Sequence, residues 1–153
     1  MKKLLFSSLL LLNGTNILAK GDSETLLQAA KTGNIAQLTI IFSEKETPNS
    51  WTIDTAFQQA FEAGQSKDIL TLLLQNSSTK GQLLRDACTR GDVKMVDFLL
   101  EYDRTTSKNL MDSIASIQNI EEARNTGHKD IAKTIQDYLL AKGYLYAKTI
   151  KID

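Results

Sequence analysis

Residues 84–100 read Leu-Arg-Asp-Ala-Cys-Thr-Arg-Gly-Asp-Val-Lys-Met-Val-Asp-Phe-Leu-Leu. Before Gly91, the residues Leu84, Ala87 and Cys88 recur at helical spacing and form one apolar face. Glycine adopts a positive φ at little cost, so Gly91 stands where one helix ends and the chain turns back. The segment therefore predicts a hairpin of two helices. Its second apolar face is formed by Val93, Val96, Leu99 and Leu100.

The same pattern occurs four times along the chain, although the glycines are separated by unequal intervals of 31, 27 and 36 residues. An alanine stands four residues before each glycine, an apolar residue stands seven before it, and another stands eight after it. Intervals of this length are typical of helical repeat arrays. The pattern predicts an all-α fold of stacked helix-turn-helix hairpins. The alanine and glycine pairs are Ala29/Gly33, Ala60/Gly64, Ala87/Gly91 and Ala123/Gly127.

Three of these segments resemble the ankyrin repeat. Ala29-Ala30-Lys31-Thr32-Gly33 is similar to the end of that family's first helix, and residues 92–100 and 127–133 are similar to its second. The resemblance covers roughly residues 23–140 and implies a short solenoid of about four degenerate repeats, within a domain spanning residues 22–143. No repeat has the family's Thr-Pro-Leu-His opening. The family's histidine position holds Leu27, Gln58, Arg85 and Glu121.

The first nineteen residues predict a secretory signal peptide. Lys2 and Lys3 precede the apolar run 4–12, and Ala19 fits the position before a cleavage site. The run is about half of the roughly 20 residues that a membrane-spanning helix needs. We therefore expect export to the periplasm or the exterior after cleavage near Ala19, with no stable membrane span. A buried N-terminal helix is the alternative, and residues 144–153 are assigned to a C-terminal tail or cap.

The chain's single tryptophan, Trp51, bears on partner binding. The connection 43–52 contains Pro48 and other turn-forming residues, so Trp51 is expected on a loop, with Asp54 or Thr55 capping the next helix. An exposed loop tryptophan is a natural interface anchor. A ring folded onto the next hairpin is the other interpretation, and it is the one that we favour.

Composition and motifs argue against several classes of function. The 18 basic and 18 acidic residues give a net charge of zero, whereas nucleic-acid binders usually carry a basic excess. No nucleophile, phosphate-loop or zinc-hydrolase motif occurs, and we predict no cofactor, metal or small-molecule substrate. Cys88 and His128 are forty residues apart on different hairpins. Cys88 is interpreted as a core residue and His128 as a structural residue that follows its repeat glycine.

The resemblance implies a non-enzymatic module that binds another protein, of unknown identity, through its concave face. In the ankyrin family, partner contacts come largely from the turn before the first helix and from exposed positions of that helix. A small exported enzyme or inhibitor is the alternative function, and ordinary solvated side chains are the alternative interpretation of the site. The predicted partner-binding residues are Lys31, Thr32, Trp51, Gln58, Glu62, Arg85, Thr89, Arg90 and Asn125.

Overall fold

A computed structural model describes residues 23–44, 48–107 and 113–152. These ranges contain α-helices and a short 3-10 helix but no β-strand, so the predicted all-α class is confirmed. The predicted signal peptide lies outside the described residues. No helix within the described ranges is long and apolar enough to cross a membrane. The elements are α1 (Ser23–Thr32), α2 (Ile35–Ser43), α3 (Ser50–Glu62), α4 (Lys67–Asn76), α5 (Lys80–Arg90), α6 (Val93–Thr106), α7 (Ile117–Asn125), α8 (Lys129–Ala141) and a terminal 3-10 helix (Leu145–Thr149).

The helices pack as four consecutive hairpins, α1 with α2, α3 with α4, α5 with α6, and α7 with α8. Neighbouring hairpins are joined mainly through their first helices, because α1 packs along α3 and α5 packs along α7. The helices α6 and α8 also touch, and the terminal 3-10 helix packs against α8. By contrast, α3 and α5 make few or no close backbone contacts. We call this central boundary, between α3–α4 and α5–α6, the middle junction.

The repeated alanine and glycine columns are explained by one helix-ending motif. Each repeat glycine has a positive φ, and the positive φ predicted at Gly91 is confirmed, with a value of 71°. The amide after the glycine donates to the carbonyl of the alanine four residues before it, which satisfies an acceptor that the helix end leaves open. These alanines are at most 1% exposed, so a larger side chain has no room. The bonds are Asn34 N to Ala29 O (2.9 Å), Gln65 N to Ala60 O (3.0 Å), Asp92 N to Ala87 O (3.0 Å) and His128 N to Ala123 O (2.8 Å).

The hydrophobic core includes the apolar residues that recur at fixed distances from the repeat glycines, which we call the apolar columns. Among the described residues it extends from Leu26 to Ala147. The residue seven positions before each glycine is at most 1% exposed in all four hairpins: Leu26, Phe57, Leu84 and Ile120. Cys88 is fully buried, as predicted. Full burial of a leucine- or phenylalanine-sized side chain stabilises a fold by about 1.5–3 kcal/mol. The packing of these residues commits one face of each helix to the core and leaves other faces free.

The middle junction is filled by three phenylalanine rings. Phe57 and Phe61 belong to α3, and Phe98 reaches them from α6 with ring centroids 6.0 and 5.9 Å away. Phe57 is fully buried, while the other two rings are partly buried against the core. Rings at these distances attract one another beyond simple area burial. Side chains rather than close backbones therefore join the two halves of the array.

The start of α3 differs from the prediction. The helix begins at Ser50, because the side chain of Asn49 accepts a hydrogen bond from the amide of Thr52 at 2.9 Å. Trp51 therefore lies in the first helical turn and not on a loop. Neither Asp54 nor Thr55 caps the helix. Asp54 instead accepts hydrogen bonds from two residues of the short link between α4 and α5: Ser77 and Thr79.

Candidate functional site

The last residues of the four first helices form one exposed series, which we call the glycine-proximal edge. Each pair immediately precedes a repeat glycine, and all eight residues are exposed to solvent. Because the buried columns lie on other faces of the helices, these side chains are not committed to the core. The edge consists of Lys31, Thr32, Glu62, Ala63, Thr89, Arg90, Asn125 and Thr126.

Two of the predicted site residues make polar contacts across neighbouring hairpins. The guanidinium of Arg85 donates to the side-chain oxygen of Gln118 at 3.1 Å, and the hydroxyl of Thr89 donates to Glu122 at 3.2 Å. Both pairs join α5 to α7 and are 33 residues apart in sequence. Arg85 and Thr89 are therefore partly occupied by contacts within the molecule, although both remain exposed.

The other residues of the edge point more freely to solvent. Arg90 is exposed and has one guanidinium nitrogen 3.4 Å from the sulfur of Met95. The hydroxyl of Thr32 donates to the backbone of its own helix. The backbone carbonyl of Lys31 accepts a hydrogen bond from Gln65 of the neighbouring hairpin, and its side chain is exposed. Gln58 is only half-exposed. The charged side chains of the edge alternate in sign along the series: Lys31, Glu62 and Arg90.

Trp51 lies apart from the edge. Its side chain is 77% exposed, so the favoured prediction of a ring folded onto the next hairpin is wrong. Placing the residue in the first turn of α3 directs the ring away from the core, whereas a loop would have allowed it to fold back. Glu62 follows eleven residues later in the same helix, which at 1.5 Å per residue separates the two by roughly 16 Å. The structure does not bring Trp51 together with the edge residues.

The residue after a repeat glycine covers the glycine of the preceding hairpin at two of the three junctions. The ring of His128 lies against Gly91, and a Cβ on that glycine would sit 2.5 Å from the ring carbon Cε1. Gln65 covers Gly33 in the same way, and its amide donates to the carbonyl of Lys31 at 2.7 Å. We call these two contacts the glycine locks. At the middle junction, nothing lies within 4 Å of the corresponding position on Gly64.

A buried carboxylate that the sequence patterns did not single out lies between α6 and α8. The side chain of Asp103 is fully buried, and its oxygens accept hydrogen bonds from the hydroxyls of Ser113 and Tyr138, each at 2.5 Å. It also accepts from the hydroxyl of Ser107 and from the amide of Ile114 at 3.0 Å. Charged groups are almost never buried without partners. This cluster ties the segment after α6 to α8.

The electrostatics of Asp103 identify it as a structural ion. Burial alone raises the pKa of a carboxyl, but the hydrogen bonds from Ser107, Ser113 and Tyr138 outweigh that effect and lower the pKa of Asp103 below its usual value. The ammonium of Lys142 lies 3.3 Å from the same carboxylate. Burial and the neighbouring carboxylate raise the pKa of Tyr138. Since the oxygens already accept several donors, the carboxylate has little capacity to act as a base.

The sequence did carry a signal for this cluster. Val96, Leu99 and Asp103 follow one another at helical spacing, so the apolar stripe of α6 continues into a charged residue. A charge on such a stripe must find donors inside the fold. Its partners in α8 and in the segment before α7 are not visible from local spacing.

A surface groove with a volume of about 580 Å³ lies beside this cluster. Three of its four charged side chains are in ion pairs: Arg104 pairs with Glu101, and Asp137 pairs with Lys133 outside the groove. Arg104 also lies 5.7 Å from the ring centre of Tyr138. Within the described ranges, no group of three metal-ligating side chains comes together. The groove is lined by Asp97, Leu100, Glu101, Arg104, Thr134, Asp137, Tyr138 and Ala141.

The only thiol of the chain is unsuited to nucleophilic chemistry. Burial raises the pKa of Cys88 to about 12, and the nearby carboxylate of Glu122 adds to the shift. A thiol with this pKa is protonated at neutral pH, whereas the thiolate is the nucleophile. The ring of His128 lies against Gly91, where it has a packing role.

Comparison with protein-family models, curated proteins and solved structures finds no match to the chain. The class that the geometry itself defines is an all-α protein of four consecutive helical hairpins within the described residues.

Proposed function

We propose that this chain is an exported, non-enzymatic protein-interaction module whose hairpins stack as a short ankyrin-like solenoid. In this proposal the first helices present a concave face to a partner protein. The glycine-proximal edge supplies the specific contacts, and the apolar columns and glycine locks hold its residues in a fixed register.

The observation that carries the proposal is the exposure of the edge in all four hairpins. In repeat arrays, stacking commits some faces of each unit and leaves an extended surface whose side chains are free to be specific. Arginine and tryptophan are the residue types most enriched at interface hot spots. Arg90 is therefore the first candidate anchor on the edge. Arg85 and Thr89 rank lower, because part of their hydrogen-bonding capacity is used within the molecule.

Trp51 supplies a separate candidate contact. Its ring is the most exposed large apolar side chain of the described residues, and burying an indole removes a large apolar area from water. Because it lies at the opposite end of α3 from Glu62, a partner that touches both must span the length of that helix. A small partner will use one or the other.

The interaction test uses the partner recovered from the exported fraction by cross-linking, followed by titration calorimetry. Arg90→Ala is expected to weaken binding about tenfold or more, which corresponds to about 1.4 kcal/mol. Lys133→Ala removes an exposed cation from the outer side of α8 and is the matched control. Unchanged affinity for Arg90→Ala and for Lys31→Ala contradicts the edge as the site. A loss confined to Trp51→Ala moves the contact to the start of α3.

Export is tested by sequencing the N-terminus of the protein isolated from its native host. The predicted first residue of the mature chain is close to Lys20, because Ala19 fits the cleavage position. Soluble cytoplasmic protein that retains Met1 would contradict export. It would leave the edge itself unchanged, since the edge lies entirely within residues 31–126, and the partner would then be recovered from the cytoplasmic fraction.

The alternative of a small exported enzyme or inhibitor would need a titratable cluster that faces a cavity. The Asp103 cluster is titratable, but its carboxylate is fully buried and held by several donors. We therefore interpret it as a clamp on the fold.

A further inference from the structure

Exposed large apolar side chains concentrate at the two ends of the hairpin series. Six such residues occur among the described residues, and four of them lie on α2 or on the terminal 3-10 helix. The helix α2 belongs to the first hairpin, and the 3-10 helix packs against α8 of the last. The four residues are Ile35 (46% exposed), Ile40 (49%), Leu145 (76%) and Tyr146 (63%).

The outer face of α2 differs from those of the other second helices. None of the nine residues of α2 is charged, and its exposed positions include Ala36, Thr39 and Ile40. The terminal hairpin of a repeat array ordinarily needs a polar outer face. The other second helices have one, because their exposed positions carry Lys67 and Asp68 in α4, Lys94 and Asp97 in α6, and Lys129, Asp130, Lys133 and Asp137 in α8.

The terminal 3-10 helix is held firmly enough to present a defined surface. The side-chain amide of Gln136 donates to the carbonyls of Ala147 and Ile150, each at 2.8 Å, and Ala147 is fully buried. The ring of Tyr146 also packs edge-on against Tyr144, with centroids 6.5 Å apart. Leu145 and Tyr146 are therefore exposed on an anchored element.

The two ends also differ in charge. Residues 142–153 contain three lysines and one aspartate; Lys142 pairs with the buried Asp103, whereas Lys148 and Lys151 are exposed. Residues 23–44 contain two glutamates and one lysine, with Glu44 at the end of α2. The exposed lysines therefore favour contact with an uncharged or acidic surface, such as α2 with Glu44 at its end, and disfavour the pairing of two 3-10 helices.

We propose that the outer face of α2 binds the terminal 3-10 helix of a second copy of this chain, so that molecules associate head to tail. Ile35 and Ile40 would be covered by Leu145 and Tyr146 of the next molecule. Pairing of two 3-10 helices is disfavoured, because it would bring the lysines Lys148 and Lys151 of both copies together. A head-to-tail contact uses two different surfaces and leaves one of each free, so assemblies grow with concentration. The patches are small, which predicts weak association.

The test is sedimentation velocity on residues 20–153, which contain the whole described core. Average mass is expected to rise over a concentration range of roughly ten to several hundred micromolar. Ile40→Glu and Leu145→Glu should each abolish the rise, because each places an acid in one half of the contact. An equimolar mixture of the two variants should form a heterodimer and stop there, since the mixture keeps one intact α2 face and one intact 3-10 helix. Val93→Glu changes an exposed apolar residue elsewhere and should behave as the wild type.

Several outcomes would overturn the proposal. An average mass that stays at the monomer value at every concentration contradicts head-to-tail association. Association that persists in Leu145→Glu but is lost in Ile40→Glu indicates a twofold contact between two α2 helices. If the full chain is monomeric while residues 20–153 associate, the segment before α1 covers α2 in place of a second copy. Circular dichroism of each variant verifies folding, and none of the substituted side chains belongs to the core.

Discussion

The two outer junctions and the middle junction join the same kind of hairpin in different ways. At the outer junctions the first helices pack closely, and a side chain of the following hairpin covers the repeat glycine, as His128 covers Gly91. At the middle junction Gly64 is uncovered, and the rings of Phe57 and Phe98 fill the space. A repeat can thus retain its helix-ending glycine while changing what holds it to its neighbour.

The unequal glycine spacing coincides with this difference. The interval of 27 residues, the shortest of the three, spans the middle junction, where the link between α4 and α5 is only Ser77–Thr79. Asp54 of α3 holds that link by accepting hydrogen bonds from Ser77 and Thr79. Asp54 thus ties the link to the half formed by α3 and α4. The contact with the half that begins at α5 is made by the phenylalanine rings.

The largest effect is expected for Phe57→Ala. This change removes a fully buried ring from the middle junction and should lower the free energy of unfolding by about 3–5 kcal/mol. Phe61→Ala serves as the control, because that ring is only partly buried and should cost less. Chemical denaturation followed by circular dichroism gives both values. Equal and small losses would mean that the aromatic rings do not hold the middle junction.

The next effect concerns the half of the molecule formed by α5 to α8. Asp103→Ala leaves the hydroxyl of Tyr138 and the ammonium of Lys142 without their buried acceptor, and should destabilise the fold by about 2–4 kcal/mol. Asp137→Ala removes an exposed carboxylate from the same helix as Tyr138 and should change stability by about 0.5 kcal/mol or less. If the two losses are similar, Asp103 does not clamp α6 to α8.

The glycine locks are tested by comparing glycines. Gly64→Ala meets only the cost of a positive φ, about 1–2 kcal/mol, whereas Gly91→Ala adds a clash with His128. Gly91→Val should cost more than about 1 kcal/mol, while exposed Lys94→Ala should cost about 0.5 kcal/mol or less. His128→Ala should reduce the cost of Gly91→Ala and leave that of Gly64→Ala unchanged. A double-mutant cycle without coupling would refute the lock.

The smallest effect is the pH dependence that Asp103 contributes. Its pKa is lower in the folded protein than in the unfolded chain, so the unfolded state binds more protons in acid. The stabilisation is complete above the ordinary carboxyl pKa and is lost as pH falls through the folded value. The stability difference between the wild type and Asp103→Asn should therefore be constant near neutrality and shrink below about pH 5. A difference that grows in acid would contradict this assignment.

Local spacing was sufficient to predict the hairpins, because the recurring alanines and glycines mark the hydrogen bonds that end each first helix, and these bonds join residues close in sequence. It was insufficient where an interaction depends on distant residues. The partners of Asp103 lie up to 39 residues away, and no local pattern pairs them. The start of α3 was misplaced because Pro48 and Asn49 were both interpreted as loop residues, whereas Asn49 is the cap itself. The edge residues were predicted to be exposed, and they are, but their partner stays a prediction.

The middle junction has a mechanical consequence. Within each half the first helices pack closely, whereas between the halves the contact is made by the rings of Phe57, Phe61 and Phe98. We therefore expect the molecule to bend at the middle junction. Such bending would leave the distance from Lys31 to Glu62 and the distance from Arg90 to Asn125 nearly constant. It would change the gap between Glu62 and Thr89, so the curvature of the edge would adapt to its ligand at that single point.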